Sequence, residues 1–272
     1  MKHIENYVVV IAGASGGIGA SIISLLTGKV SMIIAINRTH EGITKSNNST
    51  IEFINTELNT FDAWNKIIKQ ILYKHKKIDI FIDCIGEIMT GSLENQTINE
   101  IEHLFSVNLI YHIYGIKIIL PQMIQRQQGQ IIEIGSLGGL IPMPFVSTYS
   151  ASKFALRGLV LSISEEIKNS GVTISLLNPG PVNTKMLQRE SENPEAVISF
   201  ASRAISAEEA AKSVLKLIIN PKPEMIIPTR NRFSVLIANL FPNIFLWISP
   251  ILNYMGSRRR ILYRKKFSGV LQ

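Results

Sequence analysis

Cysteine is almost absent. Cys84 is the only one among 272 residues, so no intrachain disulfide can form, which fits a reducing compartment. Cys84 falls at the end of a predicted strand and reads as a small buried hydrophobe. The N-terminal stretch MKHIENYVVV lacks the apolar core and small-residue cleavage site of a secretory leader, so none is expected. The five histidines, His3, His40, His75, His103 and His112, show no metal-ligand spacing. No metal site is expected, and His103 and His112 read as structural or exposed positions on a helix. No internal repeat or low-complexity segment stands out. Acid is missing from one region altogether. Residues 230–272 hold eight Lys and Arg and no Asp or Glu, and this leaves 20 basic against 20 acidic residues elsewhere. The net charge of +8 is therefore carried by the C-terminal tail, which argues for an acidic surface as partner, a membrane before nucleic acid.

Short apolar runs alternate with helical periodicity along the rest of the chain. Strands are predicted at 7–12, 31–36, 51–55, 78–84, 130–135, 172–178 and 224–228. Helices are predicted at 17–27, 61–75, 98–127 (in one piece or two), 148–169 and 206–219. An apolar fraction of 46% supplies ample core for one large α/β domain over 1–229. The alternation predicts a parallel sheet covered by helices on both faces, with a ligand at the carboxyl ends of its strands.

The chemistry-bearing residues fall at those ends. Gly13-Ala14-Ser15-Gly16-Gly17-Ile18-Gly19 joins the first strand to the first helix. Glycines there let the backbone approach a pyrophosphate, and the helix N-terminus supplies free N–H groups. The second strand ends in Asn37-Arg38. An acid at 37 would bind ribose hydroxyls and repel a 2′-phosphate, whereas Arg38 suits that phosphate. Ser15 is placed to add a hydrogen bond to it. Tyr149 and Lys153, four residues apart, share a helix face. An ammonium beside a phenol is expected to lower the phenol's pKa, giving a proton donor suited to carbonyl–alcohol exchange. Ser136 precedes Tyr149 by thirteen residues.

With SVNL at 106–109, LPQM at 120–123, Tyr149-Ser-Ala-Ser-Lys153 and Asn178-Pro-Gly-Pro-Val-Asn-Thr184, the ordered set resembles the short-chain dehydrogenase/reductase family from about Tyr7 to Pro228. The resemblance implies a doubly wound Rossmann domain with seven parallel strands and hydride transfer between a nicotinamide and a carbonyl carbon. It implies Asn108, Ser136, Tyr149 and Lys153 as catalytic residues. Tyr149 would donate the proton, Lys153 would hold the ribose, Ser136 would hold the carbonyl oxygen and Asn108 would order a water linking Lys153 to solvent. Cofactor contacts are expected from Gly13, Ser15, Gly17, Ile18, Gly19, Asn37, Arg38, Leu58, Val182 and Thr184, besides Asn108, Tyr149 and Lys153. NADP(H) is the expected cofactor. Three positions depart from the family pattern: Ala12 for threonine, Asp83-Cys84-Ile85-Gly86 for Asn-Asn-Ala-Gly, and Glu57 for aspartate. The first two put turn geometry in question.

Residues 185–205 resemble the family's substrate lid. The tail, 230–272, contains 16 apolar residues among the 23 of 233–255. Pro242 and Pro250 are expected to break it. It is expected to seat the protein peripherally on the cytoplasmic face of a membrane through 233–266, and the alternative is a flap over the protein's own pocket or a partner subunit. The leading expectation is NADP(H)-dependent interconversion of a carbonyl and an alcohol on a lipid-like substrate. The alternatives are a soluble 3-oxoacyl reductase and a non-catalytic NADP-binding sensor or scaffold. A homodimer or homotetramer is expected through the helices at about 104–127 and 148–169.

Overall fold

The computed structural model describes residues 4–38 and 51–268. Its seven strands are β1 (Val8–Ala12), β2 (Met32–Asn37), β3 (Ile51–Asn55), β4 (Ile80–Asp83), β5 (Gly129–Ile134), β6 (Val172–Pro179) and β7 (Glu224–Ile227). They form one sheet in the order β3-β2-β1-β4-β5-β6-β7, and every pairing is parallel. The strands are continuous runs of Ile, Val, Leu and Phe because both faces are covered. One face packs Ile22, Ile23, Leu26, Val214 and Leu217 over the sheet. The other packs Trp64, Ile68, Ile119, Met123 and Leu156.

The helices on these faces are α1 (Gly17–Leu26), α2 (Phe61–His75), α3 (Ile98–Phe105), α4 (Tyr111–Gln125), α5 (Ser147–Glu166), α6 (Lys185–Glu190) and α7 (Ala207–Ile219). Thr60 caps α2 through the Ala63 N–H. Thr97 with Glu100 and Ser206 with Glu209 form full capping boxes on α3 and α7. The segment expected at 98–127 is two helices joined by a π turn at Ser106–Ile110. Such a turn adds a residue to the helix and re-aims a side chain, here Asn108.

The strand order reverses between β1 and β4, opening a crevice at their carboxyl ends. Gly13 turns out of β1 with φ +69, and a Cβ there would lie 2.8 Å from the Cys84 carbonyl carbon and the Ile85 nitrogen. Only glycine allows this approach. The turn after β4 is held by a side chain and by the backbone of β1. Asp83 Oδ1 accepts the Ile85 N–H at 2.9 Å, and the Ala12 carbonyl accepts the Cys84 N–H at 2.9 Å.

The tail forms two helices, α8 (Asn231–Leu240) and α9 (Pro242–Ser268). Pro242 behaves as expected, starting a helix where no N–H is needed. Pro250 does not break the chain. The α9 helix runs through it, and its packing on the 185–205 segment offsets the missing hydrogen bond. Gly256 lies against the Val197 carbonyl. Arg260 Nη1 donates to the Ser191 carbonyl at 2.7 Å, Arg259 donates to the Ala201 carbonyl, and the Tyr263 hydroxyl donates to Asn183 Oδ1 at 2.7 Å.

Candidate active site

A cavity of about 720 Å³ opens at the crevice. Its floor is the glycine turn, Ser15 to Ala20, and its centre holds Ser136, Tyr149 and Lys153. Apolar side chains dominate the remainder: Ile88, Ile141 and Met143 on one side, Leu187 and Ile198 from the 185–205 segment, and Phe233, Ile237, Ile248 and Leu252 from α8 and α9. The tail therefore roofs the cavity.

Ser136 is held from behind. Its N–H donates to Asn178 Oδ1 at 3.1 Å, and Asn178 Nδ2 donates to Glu224 Oε1 at 2.8 Å. Glu224 in turn accepts Nε and Nη2 of Arg157 at 2.6 and 3.1 Å. This chain ties β5, β6, β7 and α5 together and fixes the serine's backbone. Sequence reasoning saw Asn178 only as part of a motif, and Glu224 carries no local signal at all. A bidentate arginine–carboxylate pair of this kind is the strong sort.

Tyr149 lies buried on α5, its ring and Ser136 Oγ meeting beside Gly138. Burial pushes its hydroxyl up to about 12, with Ser136 opposing and Glu190 adding to the rise. This corrects the expectation of a lowered phenol pKa. The Lys153 ammonium is turned to the Ile134 carbonyl at 3.1 Å, and desolvation brings Lys153 down to about 8 while Asp83 and Glu133 oppose that fall. Asn108 is fully buried. Its Oδ1 accepts the Glu87 N–H at 2.9 Å, and its Nδ2 donates to the Glu87 carbonyl at 2.9 Å and to Ser152 Oγ at 3.1 Å. Asn108 Oδ1 and Lys153 Nζ both flank the Cα of Gly86, 3.5 and 3.4 Å from where a Cβ would stand. The four residues singled out as catalytic thus converge.

The nucleotide contacts converge less evenly. Ser15, Gly17, Ile18, Gly19, Val182 and Thr184 line the cavity, and Thr184 Oγ1 donates to the Val182 carbonyl at 3.2 Å. Gly13 shapes the turn beneath them. Asn37 is buried at the tip of β2, with neither side-chain polar atom partnered. Such an orphan amide fits a bound ribose. Arg38 is exposed beside it, 3.5 Å from Glu87 and 4.0 Å from Glu57. Leu58 packs into the core beneath α2 rather than lining the cavity. His40 lies outside the described residues. The residues present fit a nicotinamide dinucleotide laid across the crevice.

Residues 7–195 match the short chain dehydrogenase family. The chain is a short-chain dehydrogenase/reductase. A 3-ketodihydrosphingosine reductase of Dictyostelium discoideum is 31% identical to this short-chain dehydrogenase, covering 94% of this chain and 84% of the relative. A retinol dehydrogenase 8 of Bos taurus is 29% identical over 60% of this chain and 59% of its own. A Burkholderia cenocepacia short chain dehydrogenase solved with NADP superposes with a TM-score of 0.76 at 18% identity, covering 89% of this chain and 96% of its own. One from Burkholderia phymatum solved with NAD gives 0.77 at 18% identity, covering 90% and 96%. As a family member the protein is an oxidoreductase that binds a nicotinamide cofactor.

Two buried features had no sequence signal. Glu190, at the end of α6, is the one carboxyl among the described residues lining the cavity. Burial raises it to about 7, with a Ser199 hydrogen bond opposing. His112 is completely buried against Asp83 and Glu133. Ligand-type atoms of these three lie within 4.8 Å of one another.

Proposed function

We propose that the protein is an NADP(H)-dependent reductase of a long-chain, lipid-like ketone, working with its C-terminal helices against a membrane. The observation that carries the reading is the cavity itself, with a proton-donor constellation at one end and an apolar chamber roofed by α8 and α9. A relative acting on a sphingoid ketone, similar over 94% of the chain, supports the same substrate class. Glu190 would meet a polar head on an otherwise apolar ligand. The unpartnered Asn37 and the exposed Arg38 support NADP(H) over NAD(H).

When bound, the nicotinamide supplies or accepts the hydride. The chain's own work is to hold the ketone oxygen between Ser136 and Tyr149 and to deliver the phenolic proton to it. Burial suits this direction, because it keeps the Tyr149 hydroxyl protonated throughout the working pH range. Lys153 would hold the ribose and place positive charge beside the oxygen as it becomes an alcohol. Gly13, Ser15, Gly17, Ile18 and Gly19 would cradle the phosphates, with Val182 and Thr184 on the amide. Asn108, fixed by three hydrogen bonds, would keep the lysine's surroundings ordered.

The membrane seat rests on the outer face of the roof. Leu236, Leu240, Phe241, Trp247, Ile251 and Tyr254 are all exposed there, Trp247 at 82%. The tail's basic residues complement anionic headgroups. The one described helical stretch long and apolar enough to cross a membrane is Ile98–Gln125, and it packs on the sheet. In this reading the tail would serve as both, its inner face a flap over the pocket and its outer face a surface for lipid. The division into a catalytic unit over 1–229 and an extension over 230–272 is part of this reading. So is a homodimer or homotetramer through α4 and α5, where Ile124 and Phe154 are exposed.

Two exposed changes test the seat without opening the pocket: Trp247→Glu with Ile251→Glu. The full chain is expected to float with anionic vesicles at low salt and to oxidise NADPH with long-chain ketones presented in them. The double variant is expected to stay in the aqueous fraction while reducing a short, water-soluble ketone as before. A native protein that ignores anionic vesicles removes the membrane seat. One that turns over no long-chain ketone removes the substrate class.

A further inference from the structure

Asp83 and Glu133 are register partners on the adjacent strands β4 and β5, so two carboxyl groups stand side by side inside the core. Both are fully buried. His112, entering from α4, lies between them. Its Nε2 faces the Ile85 carbonyl at 3.1 Å, and a carbonyl can only accept, so Nε2 carries a proton. Its Nδ1 lies 2.5 Å from Glu133 Oε2 and 3.4 Å from Asp83 Oδ2. Asp83 Oδ2 and Glu133 Oε1 have no hydrogen-bond partner. Nδ1 and Oε2 are in hydrogen-bond contact, closer than an ordinary N···O pair. Two donors on one tetrahedral ion, each about 2.1 Å from it, would stand about 3.4 Å apart, and Nδ1 and Glu133 Oε2 are too close to be such a pair. The cluster is thus built around protons rather than a metal.

The charge assignment closes on itself. Burial raises Glu133 to about 8 and lowers His112 to about 4, so near neutral pH a neutral Glu133 carboxyl donates to a neutral imidazole. Asp83, raised only to about 6, is the one anion. Lys153 is the matching cation. Its ammonium is bonded to the carbonyl of Ile134, the residue after Glu133, and His112 is bonded to the carbonyl of Ile85, the residue before the Gly86 that abuts Lys153. The other groups around the ammonium are Cys84 on β4, whose thiol is held well above its usual range, and Tyr149 on its own helix. Neither carries charge at neutral pH.

We propose that Asp83, His112 and Glu133 form a buried single-anion site that keeps Lys153 an ammonium, with Asp83 as the positioning residue for the lysine's charge and Glu133 as a second carboxyl that joins it in alkali. The proposal rests on Lys153 contacting the cofactor ribose. It does not depend on which ketone is reduced. Removing the anion lets Lys153 lose its proton at lower pH, so the alkaline limb of any Lys153-dependent property moves toward acid.

The test is NADPH affinity across pH, read by fluorescence titration with no ketone present, together with kcat/KM where a substrate is found. Asp83→Asn keeps the volume and the acceptor for the Ile85 N–H, and the alkaline limb is expected to fall by about one pH unit. Glu133→Gln keeps a donor to Nδ1 and is expected to move the limb the same way by less than half as much. That second variant also serves if the first fails to fold. A limb that stays put in either folded variant, or affinity lowered uniformly at every pH, makes the cluster merely structural and overturns the proposal. Stoichiometric divalent metal in the purified protein overturns it too. Limbs that shift as described in a protein that reduces no ketone would uphold this site while refuting the substrate reading.

Discussion

Tyr149→Phe is expected to lower turnover by roughly 10²–10⁴-fold while the protein still folds and binds NADPH. The substitution removes one oxygen and no ring volume. The hydroxyl beside Ser136 is lost, but Ser136 Oγ still accepts the Gly138 N–H at 3.0 Å, so stability should fall by only about 1 kcal/mol. Stopped-flow oxidation of NADPH with a long-chain ketone measures the loss, and fluorescence titration of NADPH confirms that the site is intact. The pH dependence adds a second check. In the native protein the phenol at about 12 stays protonated, while Lys153 at about 8 loses its charge within the assay range. The rate of reduction is therefore expected to decline above about pH 8, a limit set by the lysine and not by the phenol. A Tyr149→Phe enzyme within a few-fold of native turnover would sink the mechanism.

Cofactor choice is expected to turn on Asn37 and Arg38. Arg38→Ser removes an exposed guanidinium that its carboxylate neighbours hold only at 3.5 and 4.0 Å, so folding should be untouched. A charge-assisted bond to a phosphate contributes about 1.5–3 kcal/mol, so NADPH affinity should fall by roughly 10- to 100-fold with NADH little changed. Adding Asn37→Asp places an anion against the 2′-phosphate and offers acceptors to ribose hydroxyls instead. The pair is expected to swing preference toward NADH by on the order of 10²–10³-fold. Titration calorimetry with both dinucleotides decides it. A native protein that binds NADH as tightly as NADPH would show the assignment to be wrong at the outset.

The sheet was legible because parallel strands covered on both faces must be apolar throughout. VVVIA, MIIAIN and GQIIEI announce themselves, and every predicted strand lies within two residues of its place. Local chemistry was legible as well. The glycine turn is one contiguous strand-to-helix stretch and the Tyr149–Lys153 pair sits within one helix, where spacing alone determines geometry. What escaped notice was made by register. Asp83, His112 and Glu133 stand 29 and 21 residues apart, and only the pairing of β4 with β5 and the re-aiming at the π turn bring them together. His112 was read as structural or exposed and is completely enclosed. The lowered phenol pKa failed for a related reason. The i, i+4 argument sees two neighbours on a helix but not how deeply that helix face is buried. Pro250 misled because a proline's local cost says nothing of the packing that an entire helix gains around it.

The strand order also sets a timetable for the growing polypeptide. The wall against which Gly13 turns is the backbone of Cys84 and Ile85, and the neighbour across Gly17 is Thr184. Neither exists when the glycine turn first leaves the ribosome. Seventy residues must follow before β4 can dock beside β1, and another hundred before Thr184 arrives. A dinucleotide therefore cannot recruit the nascent chain early. It can reward assembly only once about two thirds of the protein has been made. Until β4 emerges, the inner edge of β1 stays open, while β2 already lies between β1 and β3.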